Sequence, residues 1–172
     1  MPRYVAFLRG VSPLNAKMPE LKRCFEQAGF VNVKTVLGSG NVVFDTNLRS
    51  DAAVARQAEQ VMAKELDRVF MTIARSVASL EQLLATEPFT EHGIPPEAKR
   101  VVSFLREERA PKRPLPLTAD DASAFLQRGR EIYSAYIPNP QNGPVFMRLI
   151  ESAFGKDITT RTWDTVRKCA AA

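Results

Sequence analysis

The pattern of apolar and polar positions in residues 1–75 predicts a small sheet with two helices. Four segments are apolar runs or alternate apolar with polar residues, as strands do: 4–9, 31–37, 42–44 and 69–73. Two further segments carry apolar residues at helical spacing: 18–28 and 54–66. The resulting order, βαββαβ, is that of the ferredoxin-like fold, an antiparallel sheet with both helices on one face.

Residues that begin and end helices support this interpretation. Pro19 suits the first turn of the first helix, and Gly29 stands where a C-terminal cap belongs. Ser50-Asp51 can cap the start of the second helix. Gly38-Ser39-Gly40-Asn41 predicts the turn of a hairpin between the second and third strands.

Residues 76–172 have a less regular pattern, which predicts a smaller C-terminal α/β portion. We expect strands at 100–106 and 132–137, the second of them ended by Pro138 and Pro140. Helices are expected at 77–84, from Thr118 toward Leu126, at 142–153, and from Thr159-Thr160 onward. The expected fold class is therefore α+β, with a ferredoxin-like subdomain at 1–75 and an α+β subdomain at 76–172 that ends in two helices.

Composition indicates a soluble globular protein. The chain has 172 residues, of which 45% are hydrophobic and 25% charged. No apolar run approaches the roughly 18 residues of a membrane span, and the N-terminus lacks the pattern of a secretory signal. We therefore expect a cytoplasmic protein that has no membrane partner. The two cysteines, Cys24 and Cys169, exclude a disulfide framework and a Cys-rich zinc site, so no metal or cofactor is expected.

The net charge is mildly basic and does not by itself indicate a function. Twenty-four Lys and Arg against nineteen Asp and Glu give a formal charge of +5. Six basic residues fall between Lys99 and Arg113 and could meet phosphates, although a solvated strand end and loop is the simpler interpretation. Nucleic-acid binding stays a less favoured alternative, because the aromatics comparable to those of RNA-binding sheets, Phe7 and Phe44, have the pattern of core residues.

No catalytic residue can be named, and whether the protein is an enzyme stays open. The single histidine, His92, lies in a proline-rich loop and cannot form a His-rich metal site. The nucleophile-elbow, Walker A and dinucleotide-binding motifs are absent. Cys24 falls on the apolar face of the first helix, which favours a buried, inert thiol.

Three segments carry polar residues that could bind an anion. Arg9-Gly10 ends the first strand, Ser39 and Asn41 lie in the hairpin turn, and Thr160-Arg161 precedes Trp163. Each segment also has a purely structural explanation as a turn or a helix cap. If the segments meet at one rim of the sheet, they predict a site for a phosphate- or carboxylate-bearing small molecule. A protein-interaction module, for example a homodimer, is a further alternative, and the oligomeric state stays open.

The same segments carry a family resemblance. Tyr4–Gly10, Ser39–Phe44 and Thr159–Val166 together resemble the bacterial family called domain of unknown function 1697. The resemblance implies an α+β fold with a ferredoxin-like portion and no established reaction. The chain departs from the family pattern in three places. Val-Ser-Pro-Leu-Asn at 11–15 replaces Ile-Asn-Val-Gly-Gly, the helix start at 143–147 lacks Ser-Lys, and Arg-Thr-Trp-Asp at 161–164 replaces Arg-Asn-Trp-Asn.

Overall fold

The computed structural model describes residues 1–138 and 142–172, apart from the side chains of 142–145. These residues form two compact units, Met1–Ala85 with Val166–Ala172 and Thr86–Thr165. The prediction that Pro140 ends a strand lies outside the described residues. So do the side chains at 143–145, where the sequence departs from the family pattern.

The first unit is built on an antiparallel sheet. Its elements are β1 (Arg3–Leu8), α1 (Met18–Gln27), β2 (Val31–Val36), β3 (Asn41–Asp45), α2 (Asp51–Glu65), β4 (Thr72–Ser76) and α3 (Val77–Leu84). The strands pair in the order β2-β3-β1-β4, every pair antiparallel. The predicted βαββαβ arrangement is therefore confirmed, and the helix predicted at 77–84 follows it.

Local signals fix where the helices of the first unit begin and end. The Ser50 hydroxyl caps α2 by accepting a hydrogen bond from the Ala53 N–H at 3.0 Å. Pro19 lies in the first turn of α1, where its missing N–H costs nothing. Gly29 follows the last turn of α1 at φ +88°, a left-handed conformation that glycine adopts without strain. All three signals agree with the sequence-based expectation.

The core of the first unit lies between the sheet and the helices α1 and α2. Along β1, Tyr4, Ala6 and Leu8 face this core, while Val5 and Phe7 point to the opposite face and are equally buried. Phe44 of β3 is also fully buried, so both aromatics that were expected in the core are there. Burying each such ring stabilises the fold by roughly 1.5–3 kcal/mol.

The second unit holds another antiparallel sheet. Its elements are α4 (Pro88–Glu91), β5 (Lys99–Leu105), β6 (Leu117–Ala119), β7 (Ala122–Arg128), β8 (Glu131–Tyr136), α5 (Asn142–Phe154) and β9 (Ile158–Thr162), followed by the start of α6 (Trp163–Ala171). In the described part of the chain this sheet has five strands, in the order β6-β7-β8-β5-β9. Its core cluster joins strand residues to α5 through Phe146, Ile150 and Phe154.

Two predictions for the second half are wrong. Thr118–Asp121 does not begin a helix, because Asp120 adopts φ +51° and makes the turn of the β6–β7 hairpin. Residues Phe125 and Leu126 therefore lie on strand β7. Thr159-Thr160 does not begin the last helix either, since both residues pair with β5 as part of β9. β-Branched threonines fit a pleated strand better than a helix.

No helix within residues 1–138 and 142–172 is both long enough and apolar enough to cross a membrane.

Candidate functional site

Four of the predicted site residues meet at one end of the first sheet. The N–H of Leu8, the last residue of β1, donates to the Gly40 carbonyl at 2.8 Å. Arg9 and Gly10 therefore follow β1 directly beside the hairpin turn that contains Ser39. Asn41 begins β3 opposite Phe7 in the same register. The structure thus brings Arg9, Gly10, Ser39 and Asn41 together.

Within this group, Asn41 holds the hairpin turn together. Its side chain is fully buried, and its amide donates to the Val36 carbonyl at 2.8 Å and to the Ser39 hydroxyl at 3.0 Å. Gly40 adopts φ +87°, and a Cβ there would lie 2.8 Å from Cβ of Val11. Asn41 and Gly40 therefore position the turn, and Ser39 carries the exposed polar side chain of the motif.

The loop after β1 is fixed by its own side chains. Asn15 donates from its amide to the Gly10 carbonyl at 2.8 Å, and its Oδ1 accepts from the Ser12 N–H at 2.9 Å. Gly10 has φ +84°, and a Cβ there would lie 3.8 Å from Nη2 of Arg68. The glycine therefore suits a backbone that only glycine adopts easily, next to a guanidinium from the α2–β4 loop.

A cleft of about 190 Å³ opens between this loop, the start of α1 and the α2–β4 loop. We call it the α1 cleft, and its lining residues are Asn15, Ala16, Lys17, Glu20, Leu21, Glu65, Leu66, Asp67, Arg68 and Phe70. The exposed guanidinium of Arg68 lies 4.9 Å from the ring centre of Phe70, a side chain that is itself buried. This cation–π contact favours a position of the guanidinium at the wall of the cleft.

The charged side chains of the α1 cleft form no ion pairs with the rest of the described chain. In the part of the chain that the structure describes, Lys17, Glu20, Glu65, Asp67 and Arg68 take part in no ion pair. α1 begins at the cleft, and no side chain caps its first turn. Two cations, three carboxylates and the start of a helix are therefore available in the cleft to interact with a bound molecule.

Two further cavities flank the α1 cleft. One, of about 290 Å³, shares Glu20, Glu65 and Leu66 with the cleft and adds Arg23, Cys24 and Gln27. The other, of about 370 Å³, shares Ala16 and Lys17 with it and adds Pro13, Met18, Pro19 and Gly38. Glu20 and Glu65 therefore border one further cavity, and Lys17 borders the other.

The cysteine beside the α1 cleft is not an activated nucleophile. Cys24 is buried, and burial together with the Glu65 carboxylate raises the pKa of its thiol to about 11. A thiol with this pKa stays protonated near neutral pH. The expectation of a buried thiol at Cys24 is confirmed.

The other predicted site residues lie in the second unit and have local partners. Thr160 exchanges a hydrogen bond with Ser103 at 2.7 Å across the β5–β9 pair. Arg161, 8% exposed, donates from Nη1 to the Thr159 hydroxyl at 2.7 Å and to the Thr160 carbonyl at 2.9 Å. Trp163 packs edge-on against Phe89, with ring centres 5.0 Å apart.

The start of α6 is capped, but by a residue other than those predicted. The Thr162 hydroxyl accepts from the Thr165 N–H at 3.1 Å, which is the hydrogen bond of an N-cap. Thr160 and Arg161 lie before this cap, on β9. That these residues share one site with Arg9 and Ser39 stays a prediction.

The basic stretch from Lys99 to Arg113 is not one patch. Lys99 begins β5 and the loop that carries Arg109 and Arg113 follows its end, with a strand of seven residues, about 20 Å, between them. Arg109 donates to the Phe154 carbonyl at 3.0 Å at the end of α5. This contact satisfies a carbonyl that the helix leaves unpaired.

Other reactive groups do not assemble into a site. His92 is exposed, and its Nδ1 lies 2.8 Å from the Pro88 carbonyl oxygen. Among residues 1–138 and 142–172, no three His, Cys, Asp or Glu side chains are grouped so that they could hold a metal ion.

The residues of the α1 cleft were missed by sequence reasoning. Lys17, Glu20, Glu65 and Arg68 lie at helix ends, where charged residues are ordinary. Nothing in their spacing shows that the start of α1 and the end of α2 line one cavity. The available signal is the pair of helix termini that a ferredoxin-like order places on one face of the sheet.

Comparison with known proteins agrees with the fold and the motifs. The sequence profile of a family described as "protein of unknown function (DUF1697)" matches residues 1–133, which contain the first two motifs but not Thr159–Val166. The fold is similar to that of the conserved bacterial protein SP0830 from Streptococcus pneumoniae, with a TM-score of 0.74 and 20% identity over 99% of this chain and 97% of that one. No curated protein matches the chain. The chain belongs to the DUF1697 family of proteins of unknown function.

Proposed function

We propose that this protein binds a small molecule carrying a carboxylate or phosphate group, and that the first unit holds this group in the α1 cleft. The observation that carries the proposal is the state of Arg68. Its guanidinium is exposed, makes no ion pair within the described residues, and lies 4.9 Å from the centre of the Phe70 ring, near Gly10. A guanidinium is suited to two parallel hydrogen bonds to a carboxylate or phosphate.

Two features near Arg68 favour an anion, against the three carboxylates that also line the cleft. Lys17 adds a second positive charge to the same cleft, and the uncapped start of α1 adds N–H groups and the positive end of the helix dipole. Arg9 and Ser39 belong to the same end of the sheet, on the segments that border the Gly10 loop. Neither residue lines the α1 cleft, so a contact of Arg9 or Ser39 with the ligand stays a prediction from the sequence.

A titration with two simple anions tests the proposal. We expect butyrate and inorganic phosphate, added separately to the full chain, to produce saturable NMR shift changes in backbone amides of residues 15–21 and 65–70. Arg68→Gln should weaken binding by about ten- to a hundredfold, because a hydrogen bond to a charged group contributes about 1.5–3 kcal/mol.

The matched control is Arg56→Gln. Arg56 is exposed on α2, nine residues before Glu65 and so about 13 Å along the helix. This variant removes the same charge from the same unit and should bind both anions as the unaltered chain does. Absence of saturable binding of either anion, or equal losses in the two variants, would contradict the proposal.

The alternatives of nucleic-acid binding and homodimer formation stay predictions. The burial of Phe7 and Phe44 gives the first sheet no exposed ring at these positions for bases to stack on.

A further inference from the structure

The α1 cleft carries charges of both signs. Two of its three carboxylates, Glu20 and Glu65, also line the cavity around Cys24, whereas Asp67 and Arg68 do not. Lys17 also lines the cavity that includes Pro13 and Gly38. A ligand in the cleft therefore meets carboxylates as well as cations.

A ligand that carries only negative charge does not suit this cleft. A carboxylate at Arg68 would be attracted by the guanidinium, but the carboxylates of Glu20 and Glu65 line the same cleft and would repel it. No ion pair within the described chain neutralises these two carboxylates. A positively charged group on the ligand would do so, and a volume of about 190 Å³ suits a molecule of a few heavy atoms between its charged ends.

We propose that the ligand of the α1 cleft is a small zwitterion of the amino-acid class, with its carboxylate at Arg68 and its ammonium group at Glu65. This rests on the proposed function, because it assigns the anionic end to the same guanidinium. Glu65 is the carboxylate chosen, since Asp67 directly precedes Arg68 and does not line the adjoining cavity, and Glu20 already has a structural role as an acidic residue in the first turn of α1, where the helix dipole favours it.

The helix dipole does not stabilise the carboxylate of Glu65. Glu65 is the last residue of α2, where the helix dipole disfavours a negative charge. Its charge is also felt at Cys24, the thiol in the adjoining cavity, whose pKa it helps to raise. Replacing it with glutamine removes an unfavourable charge, so the fold should be retained and the change should act on the ligand.

Three probes with the same four-carbon chain separate the two charges: butyrate, γ-aminobutyrate and butylamine. With the unaltered chain we expect γ-aminobutyrate to bind at least about tenfold more tightly than butyrate, as one added charge-assisted hydrogen bond allows. Glu65→Gln should remove this preference without weakening the binding of butyrate, because the substitution takes away a negative charge from the same cleft. Glu26→Gln is the control, because Glu26 is an exposed carboxylate in the last turn of α1 that lines none of the three cavities.

The outcomes distinguish the two proposals. Equal binding of butyrate and γ-aminobutyrate would overturn the zwitterion proposal and leave anion binding at Arg68 standing. Loss of the preference in both Glu65→Gln and Glu26→Gln would overturn the assignment to Glu65. Failure of all three probes, or butylamine binding as tightly as γ-aminobutyrate, would overturn the carboxylate site at Arg68 as well.

Discussion

The close approach at Gly40 predicts a stability cost that can be divided into two parts. Alanine at Gly40 would have to adopt φ +87°, which costs a residue with a side chain roughly 1–2 kcal/mol. Its Cβ would also lie 2.8 and 2.9 Å from atoms of Val11 and 3.1 Å from Cβ of Leu8. Such overpacking typically costs about 1–3 kcal/mol. Gly40→Ala should therefore destabilise the first unit by about 2–5 kcal/mol, a large share of the ~5–15 kcal/mol that holds a typical domain folded.

Gly29→Ala isolates the backbone part of this cost. Gly29 has nearly the same φ, +88°, but a Cβ there would meet no heavy atom within 4 Å. Both substitutions also restrict the unfolded chain equally. Urea denaturation followed by far-ultraviolet circular dichroism, with hydrogen exchange to locate the loss in the first unit, should show Gly29→Ala to be milder by about 1–3 kcal/mol. Equal destabilisation by the two variants would refute the role assigned to the Val11 contact.

Three further predictions concern other side chains of the first unit. Asn41→Ala should lower the free energy of unfolding by about 1–3 kcal/mol, measured by urea denaturation, because it removes a buried amide that makes two hydrogen bonds within the hairpin; an unchanged midpoint would contradict this. Cys24 should resist iodoacetamide at pH 8 until the chain unfolds, as judged by mass spectrometry, since its thiol is buried and has a pKa of about 11. Asp45 has its pKa lowered by the Asn32 hydrogen bond and then by Arg3, so its stabilising effect is complete above about pH 4 and is lost as the pH falls through the lowered pKa. Asn32→Gly, which tolerates the φ of +52° there, should raise the pKa of Asp45 in an NMR titration and reduce this acid-range loss; an unmoved pKa would contradict it.

The first unit was predictable because several local signals agree there. The apolar run of β1, the helical spacing of α1 and the cap at Ser50 indicate element boundaries that lie within one residue of those in the structure. The fourth strand begins at Thr72, later than the alternation from Val69 predicts. The alternation that suggested it continues through a loop in which Val69 is 46% exposed.

The second unit was harder to predict because the same residue types occur in helix caps, in turns and in strands. Asp120 is a good helix cap by type, yet it tolerates φ +51° and makes a hairpin turn instead. Thr160 could cap a helix, but as a β-branched residue it also suits β9, where it pairs with Ser103 of β5. In both places the pairing of distant strands decides the structure, and a window of a few residues does not contain that information.

The α1 cleft shows why sequence motifs and binding residues need not coincide. Gly10 adopts φ +84°, and Asn15 holds its carbonyl so that the loop leads Lys17 to the cleft. The residues that stand out in the sequence thus shape the loop and the hairpin turn, and ordinary charged residues at two helix ends line the cleft. On this view a side chain at residue 10, strained at this φ, would act on ligand binding through the loop that carries Asn15 and Lys17.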